Sequence, residues 1–234
     1  MAAGNSVWDE IREQNRKMKG KPLKEKWAYF MEYYAKTTIV VIIVLYFVIN
    51  LIYSSVTATD NGLGVVMING YTDMDAIAYM ENFEVYSEMN TKEYSANMEV
   101  NFTIDSQNFD EYVMANVQKF TAMIAAAQLD VAIGDENTIS EYSQSDYFYN
   151  LNEIFPQEIL NEYSDKLLYT DLPMDDIDGE IPIAINITDT ALISETQAYF
   201  GKDAYFAVIG NTKNKDNVLK FFEYIKTAEI PILE

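Results

Sequence analysis

The sequence predicts a single N-terminal transmembrane helix followed by a compact α/β domain. Three observations predict it. Thr37 to Thr59 is a run of 23 positions without a charged residue. The charge of the chain divides at that run. Residues 1–36 hold eight Lys/Arg and five Asp/Glu, a net +3, and the remainder holds eight Lys/Arg and 32 Asp/Glu, a net −24. Beyond residue 60, short apolar runs alternate with segments whose apolar residues recur every three or four positions, which is the α/β pattern. The chain therefore divides into a basic segment 1–36, a membrane helix 37–59 and an acidic α/β domain 60–234.

The membrane helix comes first in the argument. A bilayer core needs about 20 residues of apolar helix. Ile39 to Leu45 is unbroken Ile, Val and Leu, and twelve residues of the Ile/Val/Leu/Phe type lie between Ile39 and Ile52, Val44 and Phe47 among them. At about −0.3 to −0.6 kcal/mol each they favour insertion by roughly 4–7 kcal/mol. Asn50 opposes this in part, and Tyr53 suits an interfacial anchor. Arg16, Lys17, Lys19, Lys21, Lys24, Lys26 and Lys36 precede the run, whereas Asp60 follows it and the next lysine is Lys92. The positive-inside bias places the N-terminus in the cytoplasm and the acidic domain outside, at the cell membrane. The rival reading is a signal peptide cleaved at Val56-Thr57-Ala58. Its leader would be longer than the usual 15–30 residues, so a retained anchor is expected.

Within the basic segment, Ser6 and Asp9 fit a capping box, and Gly20 and Pro22 punctuate the chain. Leu23, Trp27, Phe30, Met31 and Tyr34 then fall at helical spacing beside Lys24, Lys26 and Lys36. This is an amphipathic helix suited to the membrane interface, either as a topology anchor or as a contact for a membrane partner.

In the outer domain, Leu63 to Asn69 reads as a buried strand ended by Asn-Gly. Asp73 to Phe83 is expected to be helical. Met98 to Ile104 alternates as a half-buried strand. Phe109, Val113, Val117, Phe120, Ile124 and Ala127 define the strongest helix, followed by a strand from Leu129 to Asp135. Short helices are expected over Ile139–Gln144 and Gln157–Ser164, and strands at Ile181–Ile185 and Tyr205–Ile209. Pro182 stands near a strand start, where proline is tolerated. Val218, Leu219, Phe222 and Ile225 mark a last helix opened near Asn214, and Asp171 to Glu180 is the clearest loop.

Composition narrows the function. There is no cysteine and no histidine. Disulfides, Cys-anchored lipidation, Ser-His-Asp and Cys-His machinery and imidazole-based zinc sites are thereby excluded. The expectation is a protein that is not an enzyme and carries no cofactor. An acidic domain is repelled by phosphate backbones, which argues against nucleic acid as a partner. The expected partners are the lipid bilayer and either a small-molecule ligand or a membrane protein.

Several stretches resemble the extracytoplasmic solute-binding proteins of bacterial ABC importers. Residues 117–135 resemble that family's helix, turn and Asp-Val strand, here Leu129-Asp130-Val131. Residues 147–168, with Leu151, Ile154, Pro156 and Tyr163, are similar to the segment after it. Ile181-Pro182-Ile183 is similar to its strand entering the hinge, and residues 205–225 to its late strand, Asn-Thr-Lys-Asn turn and packing helix. The stretches cover about 60% of the outer domain, and each is a pattern of short apolar elements. The resemblance implies one lobe, or a reduced two-lobe form, of a periplasmic-binding-protein fold. Only about 20 residues separate Ile185 from Tyr205, where the family places most of a second lobe. Both tryptophans, Trp8 and Trp27, lie before the membrane run, so a sugar platform would use Tyr or Phe. The implied role is non-catalytic ligand binding or sensing at the cell surface. The alternative is a ligand-free protein-interaction domain of a membrane complex.

In open α/β sheets, ligands sit beyond the carboxyl ends of the strands. Those positions supply the candidate ligand-binding residues: Asn69 and Tyr71 after the first strand, Asp135 and Asn137 after the third, and Asn186 and Asp189 after Ile185. The competing reading is cap chemistry, with Asp135 or Asn137 as an N-cap and Asp189 capping a helix from Thr190. Asp175, Asp176, Asp178 and Gly179 fail the EF-hand spacing, since Met174 falls first and Ile185 twelfth. Carboxylate pairs suited to glycoside hydrolysis carry no signal among so many acids. Asn101-Phe102-Thr103 and Asn186-Ile187-Thr188 match the N-glycosylation pattern, which carries little weight in a bacterial chain.

Overall fold

The computed structural model describes residues 12, 13, 16–57, 59–105, 110–145, 147–170 and 180–233, with residues 54–57 described by backbone alone. It divides into two units, 1–58 and 59–234. The capping box at Ser6 and Asp9, Phe109 and the acidic loop 171–179 lie outside the described residues.

In the first unit, Pro22 sets an extended backbone just before helix α1 (Leu23–Tyr33). Proline cannot donate into a preceding turn but is compatible with a helix start. Trp27 stacks on Phe30 at 5.7 Å, and no residue of α1 is buried. The chain leaves the helix at Tyr34 and re-enters one at once, α2 (Ala35–Thr57). From Ala35 to Tyr53, α2 is long and apolar enough to cross a membrane. Ile39, Val44, Phe47 and Ile52 are all more than half exposed. The polar Asn50 turns its Nδ2 back to the Tyr46 carbonyl at 2.9 Å. That bond satisfies a donor that hydrocarbon would otherwise leave unpaired.

The second unit is an α/β domain in which helices cover both faces of one mixed sheet. In chain order it runs β1 (Asp60–Ile68), α3 (Ala76–Tyr86), β2 (Tyr94–Phe102), α4 (Glu111–Ala125), β3 (Val131–Asp135) and α5 (Glu136–Ser143). A 3₁₀ turn (Leu151–Glu153), α6 (Gln157–Glu162), β4 (Leu167–Thr170), β5 (Ile181–Asn186), α7 (Ala191–Thr196), β6 (Ala204–Val208) and α8 (Lys215–Tyr224) follow. The strands are ordered β2-β1-β3-β6-β5-β4. β1 runs parallel to β2 and β3, β6 runs against β3 and β5, and β4 runs against β5. The carboxyl ends of β1, β2, β3 and β5 therefore share one end of the sheet.

Strand alternation sorts the core into two layers. Leu63, Val65 and Met67 of β1 face Tyr79, Met80 and Phe83 of α3 and Phe221 and Phe222 of α8. Val66 and Ile68 face Phe120 and Ile124 of α4 and Ile139 of α5. Each fully buried side chain of this size contributes about 1.5–3 kcal/mol. Gly64 interrupts the second row for a steric reason. A Cβ there would lie 1.8 Å from the Gln128 carbonyl oxygen, so only glycine lets the chain entering β3 cross so close to β1.

That crossing is secured by a buried carboxylate. Asp130 accepts from the Gly64 amide at 2.8 Å, the Asn61 amide group at 2.9 Å, the Asn214 amide group at 3.2 Å and the Thr212 hydroxyl. Its own amide donates to the Gly64 carbonyl at 2.8 Å. One side chain thus ties the entry of β1, the entry of β3 and the loop leading into α8.

The structure adds β4, which the sequence pattern does not separate from its surroundings because its residues are half-buried or exposed. Pro182 pairs with Tyr169 of β4, while pairing to β6 begins only at Ala184, so no β6 carbonyl awaits the missing amide. The helix after Ile185 starts with Thr190 as its N-cap position, not Asp189. Asp189 points instead to Lys166, 2.8 Å away.

Candidate functional site

At the carboxyl end of the sheet, β1 leads away to β2 on one side, while β3 leads toward β5 and β6 on the other. A cleft opens where adjacent strands send their connections apart. It encloses about 580 Å³ and is lined by Asn69 and Tyr71 after β1, Thr103 to Asp105 after β2, Asp135, Asn137, Thr138, Glu141 and Tyr142 around α5, and Tyr199, Phe200 and Lys202 after α7. A larger concavity of about 880 Å³ lies at the opposite end of the sheet, beside Asp60 and Asn61, where the strands begin.

Local geometry builds the cleft floor. Asn69 ends β1 in the left-handed region, φ 58°, which asparagine tolerates better than most residues. Its side chain accepts from the Ile104 amide at 3.0 Å and donates to the Thr138 hydroxyl at 3.2 Å. Asn69 thereby joins the ends of β1 and β2 to the first turn of α5. Gly70 follows because the Tyr199 ring packs over it. A Cβ there would lie 2.9 Å from that ring. Tyr199 is buried and donates to the Ile133 carbonyl at 2.9 Å, and burial pushes its phenol well above the ordinary value.

Asp135 closes β3 and caps α5, accepting from the Thr138 amide at 3.0 Å. Its other oxygen pairs with the Lys202 ammonium at 3.3 Å. Burial raises its pKa, but the Thr138 hydrogen bonds and Lys202 together outweigh this and hold the carboxyl below its usual value. On the same helix the Tyr142 phenol is pushed up to about 12, first by burial and then by the neighbouring Glu141 carboxylate.

The rim is aromatic. Tyr71 is 43% exposed and shares a hydrogen bond of 2.7 Å with the Thr103 hydroxyl. Phe200 stands 78% exposed with its ring 6.3 Å from that of Tyr71. Phe200 has φ 54° and the following Gly201 φ 80°. A bulky residue in the left-handed region costs about 1–2 kcal/mol, and solvent exposure of its ring returns none of it.

Four of the six expected residues, Asn69, Tyr71, Asp135 and Asn137, line this one cleft. Asn186 and Asp189 lie at the same end of the sheet but line a separate hollow of about 160 Å³. The Asn186 side-chain oxygen, Oδ1, accepts from the Thr188 amide and hydroxyl, at 2.9 and 2.7 Å. Asn101, the other glycosylation-pattern asparagine, clamps both backbone groups of Thr72, at 2.9 and 3.0 Å. Sequence reasoning missed Thr103, Asp105, Glu141, Tyr199, Phe200 and Lys202. Phe200-Gly201 was the one local signal of a tight turn, and nothing in the chain order places that turn opposite β1. Among the described residues, no cluster of carboxylates is arranged to hold a metal ion.

Comparisons of this chain with protein-family models, curated proteins and solved structures found no match.

Proposed function

We propose that this is a single-pass membrane protein whose outer domain binds a small polar ligand in the cleft at the ends of β1 and β3, without catalysis. The observation that carries the reading is the cleft itself, a 580 Å³ hollow at the strand switch point with polar groups converging on it. Its lining is rich in acceptors: the carboxylates of Asp105, Asp135 and Glu141, and the amide and hydroxyl oxygens of Asn137, Thr103 and Tyr142. Lys202, the lone ammonium in the lining, is already paired with Asp135. Such a wall suits a ligand that brings donors, an amine or a polyol, laid against Tyr71 and Phe200. The apolar helix α2 and the basic residues before it support a membrane anchor with the domain on the outer side. The sequence resemblance to solute-binding proteins, together with a single sheet, supports a one-lobed version of that fold.

The test is a thermal-shift screen of residues 59–234 with sugars, polyols, amino acids, amines, short peptides and calcium. A ligand at one hundred times its Kd stabilises the domain by about 2.7 kcal/mol, which moves the melting temperature by several degrees. The shift is expected to disappear in Asn69→Ala and to shrink in Phe200→Ala. A screen without any shift removes the binding reading. It would leave the interaction-domain reading, which the exposed rings of Tyr71 and Phe200 favour.

A further inference from the structure

We infer that the turn carrying Lys213, Lys215 and Lys220 is a docking site for the phosphate groups of anionic lipids. The inference rests on the membrane-anchor reading above. The domain holds eight Lys/Arg against 32 Asp/Glu, so a randomly placed lysine should find a carboxylate. Four do: Lys119 with Glu99, Lys166 with Asp189, Lys202 with Asp135 and Lys226 with Glu223. Lys92, Lys213, Lys215 and Lys220 form no ion pair among the described residues. The last three gather around a concavity of about 400 Å³, with Asn214, Asn217 and the single acid Asp216. Lys220 reaches the Ser87 carbonyl at 2.7 Å, and Lys215 stands 4.5 Å over the Tyr149 ring. Neither contact neutralises the charge.

The position of this patch is tied to the point where the chain enters the domain. The Asn214 amide group donates to the Asn61 carbonyl at 3.0 Å, and that of Asn217 to the Gly62 carbonyl at 2.9 Å. Asp60 begins β1 and Thr57 ends α2. The lysine turn is thereby bonded to the first residues of β1, the end of the domain at which the tether enters. A domain of net −24 is repelled by an anionic surface at most of its faces, so a cationic patch at the tethered end selects which end approaches. Each lysine held at an anionic surface favours the bound arrangement by about five-fold.

The test uses the full chain in nanodiscs, one set of phosphatidylcholine alone and one with phosphatidylglycerol added, read by amide hydrogen exchange over residues 211–220. Exchange is expected to slow by at least about five-fold in the anionic discs. The slowing should vanish in Lys213→Gln/Lys215→Gln/Lys220→Gln while exchange in β1 and β3 stays unchanged, and it should fade as salt rises. Equal exchange in both lipids would overturn the proposal. So would equal slowing by inorganic phosphate added to phosphatidylcholine discs, which would mark a free-anion site. A chain that does not remain with the discs after alkaline wash would refute the anchor itself, and the lipid site with it.

Discussion

Replacing Asp130 tests how the entries of β1 and β3 and the loop into α8 depend on one another. Its carboxylate is 1% exposed and accepts from Asn61, Gly64, Thr212 and Asn214. A hydrogen bond to a charged group contributes about 1.5–3 kcal/mol, and a buried donor left alone costs about 1–3 kcal/mol. In Asp130→Asn, one oxygen can keep Asn61 and the Gly64 amide. The new amide group meets Thr212, whose hydroxyl can accept, and Asn214, which cannot without giving up Asn61. One to two bonds are lost, a cost of about 2–3 kcal/mol. In Asp130→Ala all four donors lose their acceptor, two of them fully buried, and the cost rises to about 4–5 kcal/mol. The assay is urea unfolding of residues 59–234 followed by far-UV circular dichroism, since both tryptophans lie outside that range. With a slope of about 2 kcal/mol/M, the midpoint should fall by roughly 1 M for Asn and about 2 M for Ala. Equal midpoints for Ala and the parent chain would refute the reasoning, as would a larger loss for Asn than for Ala.

Other outcomes follow from the same geometry. Tyr79 is fully buried and its hydroxyl has no partner among the described residues, so Tyr79→Phe should leave stability unchanged or raise it by about 1 kcal/mol; a clear loss in thermal unfolding would indicate a hidden partner. Asp135 has a lowered pKa in the folded state, so the stability it contributes is complete above the ordinary carboxylate value near 3.8 and is lost as pH falls through the folded value. Asp135→Asn keeps a capping oxygen but removes the charge, and its stability curve below pH 4 should be flatter than that of the parent. Gly70→Ala drives a methyl against Tyr199 and should lower the melting temperature and weaken any ligand found for the cleft, whereas Phe200→Ala removes an exposed ring, keeps the same backbone cost, and should leave stability nearly unchanged and weaken the ligand alone. If both variants behave alike, the separation of floor from rim is wrong.

Much of the domain was legible because it rests on local rules. β1, α4 and β3 fall where alternation and helical spacing place them, and Asp135 caps α5 as its side-chain chemistry suggests. The misses share a cause. β4 has no buried residue, so it carries no apolar signature, and its strand character comes from pairing with β5. Asp189 looked like a cap because aspartate usually makes one, but Lys166 offers it a partner from 23 residues earlier. In the cleft, Asn69, Tyr71, Asp135 and Asn137 were accessible through the rule about strand ends. Tyr199, Phe200 and Lys202 were not, because that rule does not reach a turn placed by the packing of α7.

The sequence by itself determined an uncharged helix of membrane length, the sign of the charge on either side of it, and an α/β pattern. These follow from residue type and spacing, and need no knowledge of what lies across the fold. Only the tertiary structure decided that Asp130 binds three separate segments, that the ends of β1 and β3 meet the turn at Phe200, and that the unpaired lysines lie beside the entry of β1. Each of these joins residues tens of positions apart. Their energies depend on distance and burial, which one-dimensional patterns do not encode.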